Sequence, residues 1–388
     1  MRKKALPIAL IATLLFAATA KSEEVFHGSS KNITESPFFH LGSSFGAFMS
    51  GRYEEALKEV NLVLESKDEN AVINGHMQKG KILAAMKRYK EAIQEFNDCI
   101  TIGPKWEEAY LERSKAFKEI NELEHAKSDL QHGLFYQGKR EINYNQFPEA
   151  IATLSDAIKE GFENCDSYNA RGIAHLLNDD FEKAKADFNK ASTFKTDDQK
   201  YWLQRVRNAE YDSSHQIKES KKRWAILCSA IQTLENRRCL KSLAGLELNQ
   251  ENVEKEKLFL KSNWNVSDRV ELKKVVAGEI AKGESYIKAD KELLAWHLSN
   301  AICLARRGYV AGYIPEEEVW SLVIPVAKEI QRNFDSWENF GQAYMASRAT
   351  TDKDTYEKTK PPQDTAFRRL TMDPRSPWKE INWNTTLD

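Results

Sequence analysis

Few residues in this 388-residue chain have the types and spacing that chemistry requires. One candidate group lies near residue 300. Trp296, Asn300, Cys303 and Arg307 recur at i, i+4, i+7 and i+11, which would place them on one stripe of a helix. His297 stands beside that stripe, and Arg306 projects from the opposite face. A convergence of Arg306, His297 and an acid around a pocket would make an enzyme site. The simpler reading is a packed face, with His297 a satisfied core residue and Arg307 snorkelling to water. No HExxH, glycine-rich phosphate loop, Gly-x-Ser-x-Gly or paired-cysteine zinc pattern is present. No cofactor and no metal are expected.

The five cysteines match no metal spacing, and in an oxidising compartment at least one must stay unpaired. Cys228 and Cys239 could pair across a turn. On one unbroken helix they would stand ~16 Å apart, too far to bond. Cys99 occupies a small-residue position and should behave as a small hydrophobe.

Hydrophobic residues make up 41% of the chain and charged residues 30%, enough for two domains with cores. Residues 1–20 read as a signal peptide. Arg2, Lys3 and Lys4 precede an apolar run from Ala5 to Ala17, and Ala18-Thr19-Ala20 offers the cleavage site. The run is shorter than the ~20 residues that span a bilayer. An exported protein, periplasmic or secreted, beginning at Lys21 is therefore expected, with 21–36 as a linker and no membrane span after cleavage. Lys and Arg total 57 against 58 Asp and Glu, and no basic block stands out. Nucleic acid is a poor partner for such a chain.

The elements that must position any site come from self-similarity. GRYEEALKEVNLVLE, KRYKEAIQEFNDCITIGP, NELEHAKSDLQHGL, NQFPEAIATLSDAI and DDFEKAKADFNKAS share one frame. Each places a large residue three before an alanine and a bulky apolar residue four after it. The anchors are Ala56, Ala92, Ala126, Ala150 and Ala184, spaced 36, 34, 24 and 34. Gly80, Gly138 and Gly172 stand upstream of three of them. This frame resembles the tetratricopeptide repeat, a 34-residue helix–turn–helix unit, over about 37–213.

The resemblance implies close helix pairs, with Tyr89, Phe147 or Phe181 at the turn and Phe96, Leu154 and Phe188 facing the next repeat. Pro104 fits the proline after a second helix, and Asp198 to Tyr211 fits a capping helix. The short spacing of 24 predicts one continuous helix from Leu123 to Asn145, with Gly133 and Gly138 each weakening it by ~1 kcal/mol relative to Ala. The family's groove positions map to Leu41 and Phe45, Met77 and Lys81, Leu111 and Lys115, Phe135 and Lys139, and Asn169 and Ile173. Each pair is i, i+4 on one face. Three pairs set an apolar residue one turn before a lysine, which suits a protein or peptide partner with apolar anchors and acidic or terminal carboxylates. The Lys and Asn pattern of the carboxylate clamp in chaperone-binding relatives does not match here.

After about Ser214 the alanine frame vanishes, and seven of nine tryptophans follow. Val319, Leu322, Val323, Val326, Ala327 and Ile330 keep a 3.6 period. Pro315 should start that helix and Pro325 kink it, while Ser267-Asp268 and Asp335-Ser336 are plausible N-caps. Gly308 should abut a neighbouring helix and Gly312 end its own, with Trp337 in the same core. From about 220 to 388 the chain resembles the bacterial domain-of-unknown-function family 1266. The residues carrying this are Ala295-Trp296, Arg306-Arg307-Gly308-Tyr309, Gly312-Tyr313-Ile314, Gln331, Ser336-Trp337, Tyr344, Arg348 and Ser376-Pro377-Trp378. Where that family usually has Asp and Arg after its Ala-Trp, this chain has His297 and Asn300. The resemblance implies no activity. The expected architecture is all-α, a repeat array followed by a Trp-rich helical domain, acting as a binding scaffold. An enzyme sited in 220–388 or a secreted effector is the alternative.

Overall fold

The computed structural model describes residues 36–194, 198–236, 238–351 and 364–387, all of them helix or connection with no strand. Residues 1–20, expected from the sequence to be a signal peptide, lie outside the described residues. The chain forms two compact units, up to Asp129 and from Leu130 onward. The composition change near Ser214 coincides with no such divide.

The first unit contains α1 (Pro37–Met49), α2 (Tyr53–Leu64), α3 (Glu69–Ala85), α4 (Tyr89–Ile102), α5 (Glu107–Glu119) and the start of α6 (Leu123–Asn143). The second continues α6 into α7 (Phe147–Lys159), α8 (Cys165–Leu177), α9 (Phe181–Ser192) and α10 (Gln199–Ser214). The continuous helix expected from the short spacing is α6, ending two residues before the sequence limit.

All five anchoring alanines are fully or almost fully buried. Five residues before each anchor the backbone turns left-handed, at Gly51, Lys87, Asn121, Asn145 and Asp179. There the chain closes on the preceding helix by a six-to-one bond, as from Arg88 N–H to Leu83 O at 2.9 Å. Twelve residues before the anchor stands the small residue that lets the helices meet. A Cβ on Gly80 would lie 2.5 Å from the Phe96 ring, and one on Gly172 would lie 2.7 Å from that of Phe188. Repeats one and three, which lack this glycine, use Ser44 and Ser114 instead, whose hydroxyls donate to the carbonyls of Ala56 and Ala126. Phe96 shares a core with Ala109 and Ala116 of the next repeat, and Phe188 stacks on Trp202 of α10 at 5.2 Å.

Ion pairs recur in the same frame. Lys79–Glu95, Arg113–Asp129 and Arg171–Asp187 each join the two helices of a repeat at 2.7–2.8 Å. Two further pairs, His40–Glu59 and His76–Glu95, span 19 residues each.

The remaining helices are α11 (Ser220–Leu227), α12 (Ala230–Glu235), α13 (Gln250–Trp264), α14 (Arg269–Ser285), α15 (Lys291–Val310), α16 (Glu316–Asn333) and α17 (Trp337–Thr351). A helical stretch over 364–372 and α18 (Pro377–Glu380) follow. Asp212 of α10 accepts N–H bonds from Lys241 and Ser242, tying the last repeat-side helix to these elements. Asp268 and Ser336 cap α14 and α17, Pro315 is the N-cap of α16, and Pro325 lies inside it.

The largest core belongs to these helices and is centred on indoles. Trp337 lies within 4.7–5.6 Å of Trp224, Trp383 and Trp378, ring centre to ring centre. Each indole N–H of the four donates to a backbone carbonyl, Trp337 to Ile381 and Trp383 to Phe334 among them. Burying a tryptophan requires such an acceptor for its N–H. Gln331 holds the same segment through the carbonyls of Trp383 and Thr385.

Candidate functional site

In the first unit α1 touches α3 and α3 touches α5, so the first helices of three repeats share one surface. Lys81 of α3 reaches Glu108 of α5 at 2.5 Å across that surface, and Lys115 pairs with Glu112 at 2.7 Å. Leu41 and Leu111 are half-buried, and Phe45 is 52% exposed. Met77 is only 4% exposed and packs in the core of repeats two and three, so it is not a free anchor. In the second unit Phe135 is likewise buried, against Phe162 at 5.2 Å, and the exposed Lys139 lies over its ring. The amide of Asn169 donates to Cys165 Sγ, and Ile173 packs with Leu176 and Phe188.

Two expectations change. Met77 and Phe135 fail as groove contacts because neighbouring helices cover them, which spacing within one helix does not report. The lysines are not bare cations, because each of Lys81 and Lys115 already has a glutamate. The Glu112–Lys115 pair at i, i+3 was visible in the sequence. Glu108, 27 residues beyond Lys81, becomes a neighbour only once the repeats stack.

Near residue 300, α15 carries the polar groups into the protein. His297 Nδ1 lies 2.9 Å from Glu279 Oε2 on α14, and Asn300 donates to the same oxygen at 3.2 Å. Gln232 of α12 in turn donates to Asn300. Burial works against the Glu279 carboxylate, but hydrogen bonds from His297, Lys282 and Asn300 prevail and hold its pKa below the usual value. Arg306 donates to Ser229 Oγ, Thr233 Oγ1 and the Leu243 carbonyl at 2.8–3.0 Å. Burial pushes its pKa down to about 10, which still leaves it charged at neutral pH. Arg307 does not snorkel. It is 5% exposed, bonded to Glu256 at 3.0 Å and stacked 3.7 Å from the Phe259 ring. Arg306 and His297 are directed to different partners and do not converge on an acid.

The family model described as "Protein of unknown function (DUF1266)" matches residues 150–383, well over half of the chain. The chain belongs to the DUF1266 family. A tetratricopeptide repeat model matches residues 73–105, which take in α3 and α4. Among curated proteins, an Hsp70-Hsp90 organising protein of Plasmodium falciparum is 27% identical over 131 residues, covering 34% of this chain and 47% of that protein. The chain therefore spans about half the length of this relative. A second such protein, from isolate 3D7, is also 27% identical over 131 residues, and only 21% of it is covered. Solved structures that resemble the chain include MamA protein, with 18% identity, 44% of this chain, 97% of that one and a TM-score of 0.25. Another is the TPR2AB-domain:pHSP90 complex of yeast Sti1, with 16% identity, 52% and 89% coverage and a TM-score of 0.24.

The DUF1266 match takes in α7 to α10 with the later helices. Of the residues that carried the family resemblance, Ala295, Arg306, Arg307, Ile314, Trp337, Tyr344 and Trp378 are buried. Trp296 packs on Tyr344, with Arg348 over its ring at 5.0 Å. Gly308 abuts Leu272 of α14, and Gly312, at φ +75°, ends α15. The two departures, His297 and Asn300, share Glu279 as their partner. All five thiols are free, and burial raises Cys228 well above its ordinary pKa and pushes Cys99 and Cys239 up to about 12, which keeps these three neutral.

Proposed function

We propose that this protein is an exported scaffold that holds a protein or peptide partner on the first-helix surface of its repeats. The observation that carries the reading is the repeat packing itself. Each pair spends its alanine, its glycine or serine, and one bulky residue on closing the two helices. The opposite face of α1, α3 and α5 is left with Leu41, Phe45, Leu111, Lys81 and Lys115 at its surface. Apolar side chains of a partner would lie on Leu41, Phe45 and Leu111. Partner carboxylates would compete with Glu108 and Glu112 for the two lysines, an exchange of exposed ion pairs that salt weakens. In the second unit, Lys139 offers the corresponding cation. Relatives named as Hsp70-Hsp90 organising proteins support a partner-holding role.

Export is inferred from Arg2-Lys3-Lys4, the apolar run and Ala18-Thr19-Ala20. Among the described residues no helix is long and apolar enough to cross a membrane. Charge reversal at Lys81 and Lys115 together, by Lys81→Glu and Lys115→Glu, should leave the fold intact and lower the yield of the co-purifying partner. Unchanged recovery of the same partner would reject the surface. Intact mass of exported protein should begin at Lys21, and retention of Met1 would reject export with cleavage.

A further inference from the structure

A cleft of about 210 Å³ opens in the second unit between the end of α8, α10, the segment 238–241 and the C-terminal stretch 369–380. Six cationic side chains line it against four carboxylates. The carboxylates are all engaged. Glu380 takes both arms of Arg223 at 2.7 Å, and Asp179 pairs with Lys241 at 3.1 Å. Asp212 accepts from two N–H groups and the Ser242 hydroxyl, and Asp373 accepts from the N–H of Arg375. Arg238 is committed to Glu256, outside the cleft.

Two guanidiniums are left. Arg205 and Arg369 are half-buried, and neither forms an ion pair among the described residues. Both lie over aromatic rings, Arg205 over Trp202 at 5.3 Å and Arg369 over Phe147 at 6.0 Å. Burial presses the Arg369 pKa below its ordinary value, and the charges of Arg205 and Arg375 add to this against the pull of Asp373. Asp373, the acid that pulls on Arg369, already accepts from the N–H of Arg375, and two further like charges facing one cleft are costly unless an anion offsets them. Guanidiniums match the oxygens of carboxylates and phosphates through paired N–H donors. The volume lies below the ~300–1,000 Å³ of pockets for drug-sized ligands. Cys239, in the same wall, is held at about 12 by burial and stays a neutral thiol.

We propose that this cleft binds a small oxyanion, a carboxylate or phosphate group held between Arg205 and Arg369. It is independent of the repeat surface, since no residue is shared.

Calorimetric titration of the full chain with inorganic phosphate and with malonate, each against sodium chloride of equal ionic strength, tests it. At least one anion should bind at millimolar concentration or below. Phosphate alone would mark a phosphate ligand, and malonate alone a carboxylate one. Arg205→Gln and Arg369→Gln should each weaken binding about tenfold or more. Their ligand-free melting points should not fall, because a repulsion is removed. Arg369→Lys keeps the charge, loses the fork, and should also bind more weakly. Lys222→Gln, outside the cleft, should bind as the parent does. No heat beyond the chloride control, or unchanged affinity in Arg205→Gln and Arg369→Lys, would overturn the proposal.

Discussion

Gly308 of α15 presses directly on the side chain of Leu272 in α14, so closely that a Cβ at 308 would overlap Leu272 Cδ2. Leu272 itself is fully buried and has little room to retreat. Gly308→Leu should therefore destabilise the protein by about 1–3 kcal/mol through overpacking. Urea denaturation would measure it. Leu272→Ala should recover part of the loss when combined with Gly308→Ala, a coupling absent if the two sites were independent.

The left-handed turn position gives a prediction of opposite sign. Four of the five repeats place Gly, Asn or Asp there, residues that tolerate positive φ, but the second places the exposed Lys87 at φ 59°. Lys87→Asn should raise stability by about 0.5–1 kcal/mol, read as a higher denaturation midpoint. Equal or lower stability would show that the lysine has a compensating contact.

Arg171 and Asp187 form a two-pronged pair at 2.7 and 2.8 Å, with the Asp187 side chain 7% exposed. Arg171→Met leaves that carboxylate buried with only His175 Nε2, at 4.0 Å, beside it and should cost about 3 kcal/mol. Adding Asp187→Leu should restore most of it. Chemical denaturation of the two variants distinguishes a stranded charge from lost packing.

Glu279 predicts a pH dependence. Its folded pKa is lowered, so its contribution is fully present above the unfolded carboxylate value of ~4.3 and is lost as pH falls through the folded pKa. Stability should decline with acid below about pH 5. Glu279→Gln should be less stable at pH 7 by about 1–3 kcal/mol and show a shallower decline.

The repeat architecture was legible because its rules are local. Anchor alanines, close-contact glycines and the short spacing that fuses α6 are all sequence offsets. Gly312 as a terminator and the caps Asp268 and Ser336 were readable for the same reason. What escaped depended on partners far along the chain. Ser44 and Ser114 stand where glycine does, but their bonds to Ala56 and Ala126 need the helix pair in place. Glu279 lies 18 residues from His297 and meets it only because α14 packs on α15. Arg307 read as a surface residue because Glu256 and Phe259, which bury it, lie on α13 about 50 positions earlier. Arg205 and Arg369 gave no signal at all, since their segments are 164 residues apart.

The central claim is that the first-helix surface holds a partner, and site-specific photocrosslinking tests it most directly. A photoreactive residue placed at Leu111 or Lys115 on α5 should trap a discrete partner in the exported fraction. The same residue at Lys90, exposed on the second helix of its repeat, should trap none. Adducts formed equally from Lys90, or none from Leu111 and Lys115, would contradict the account.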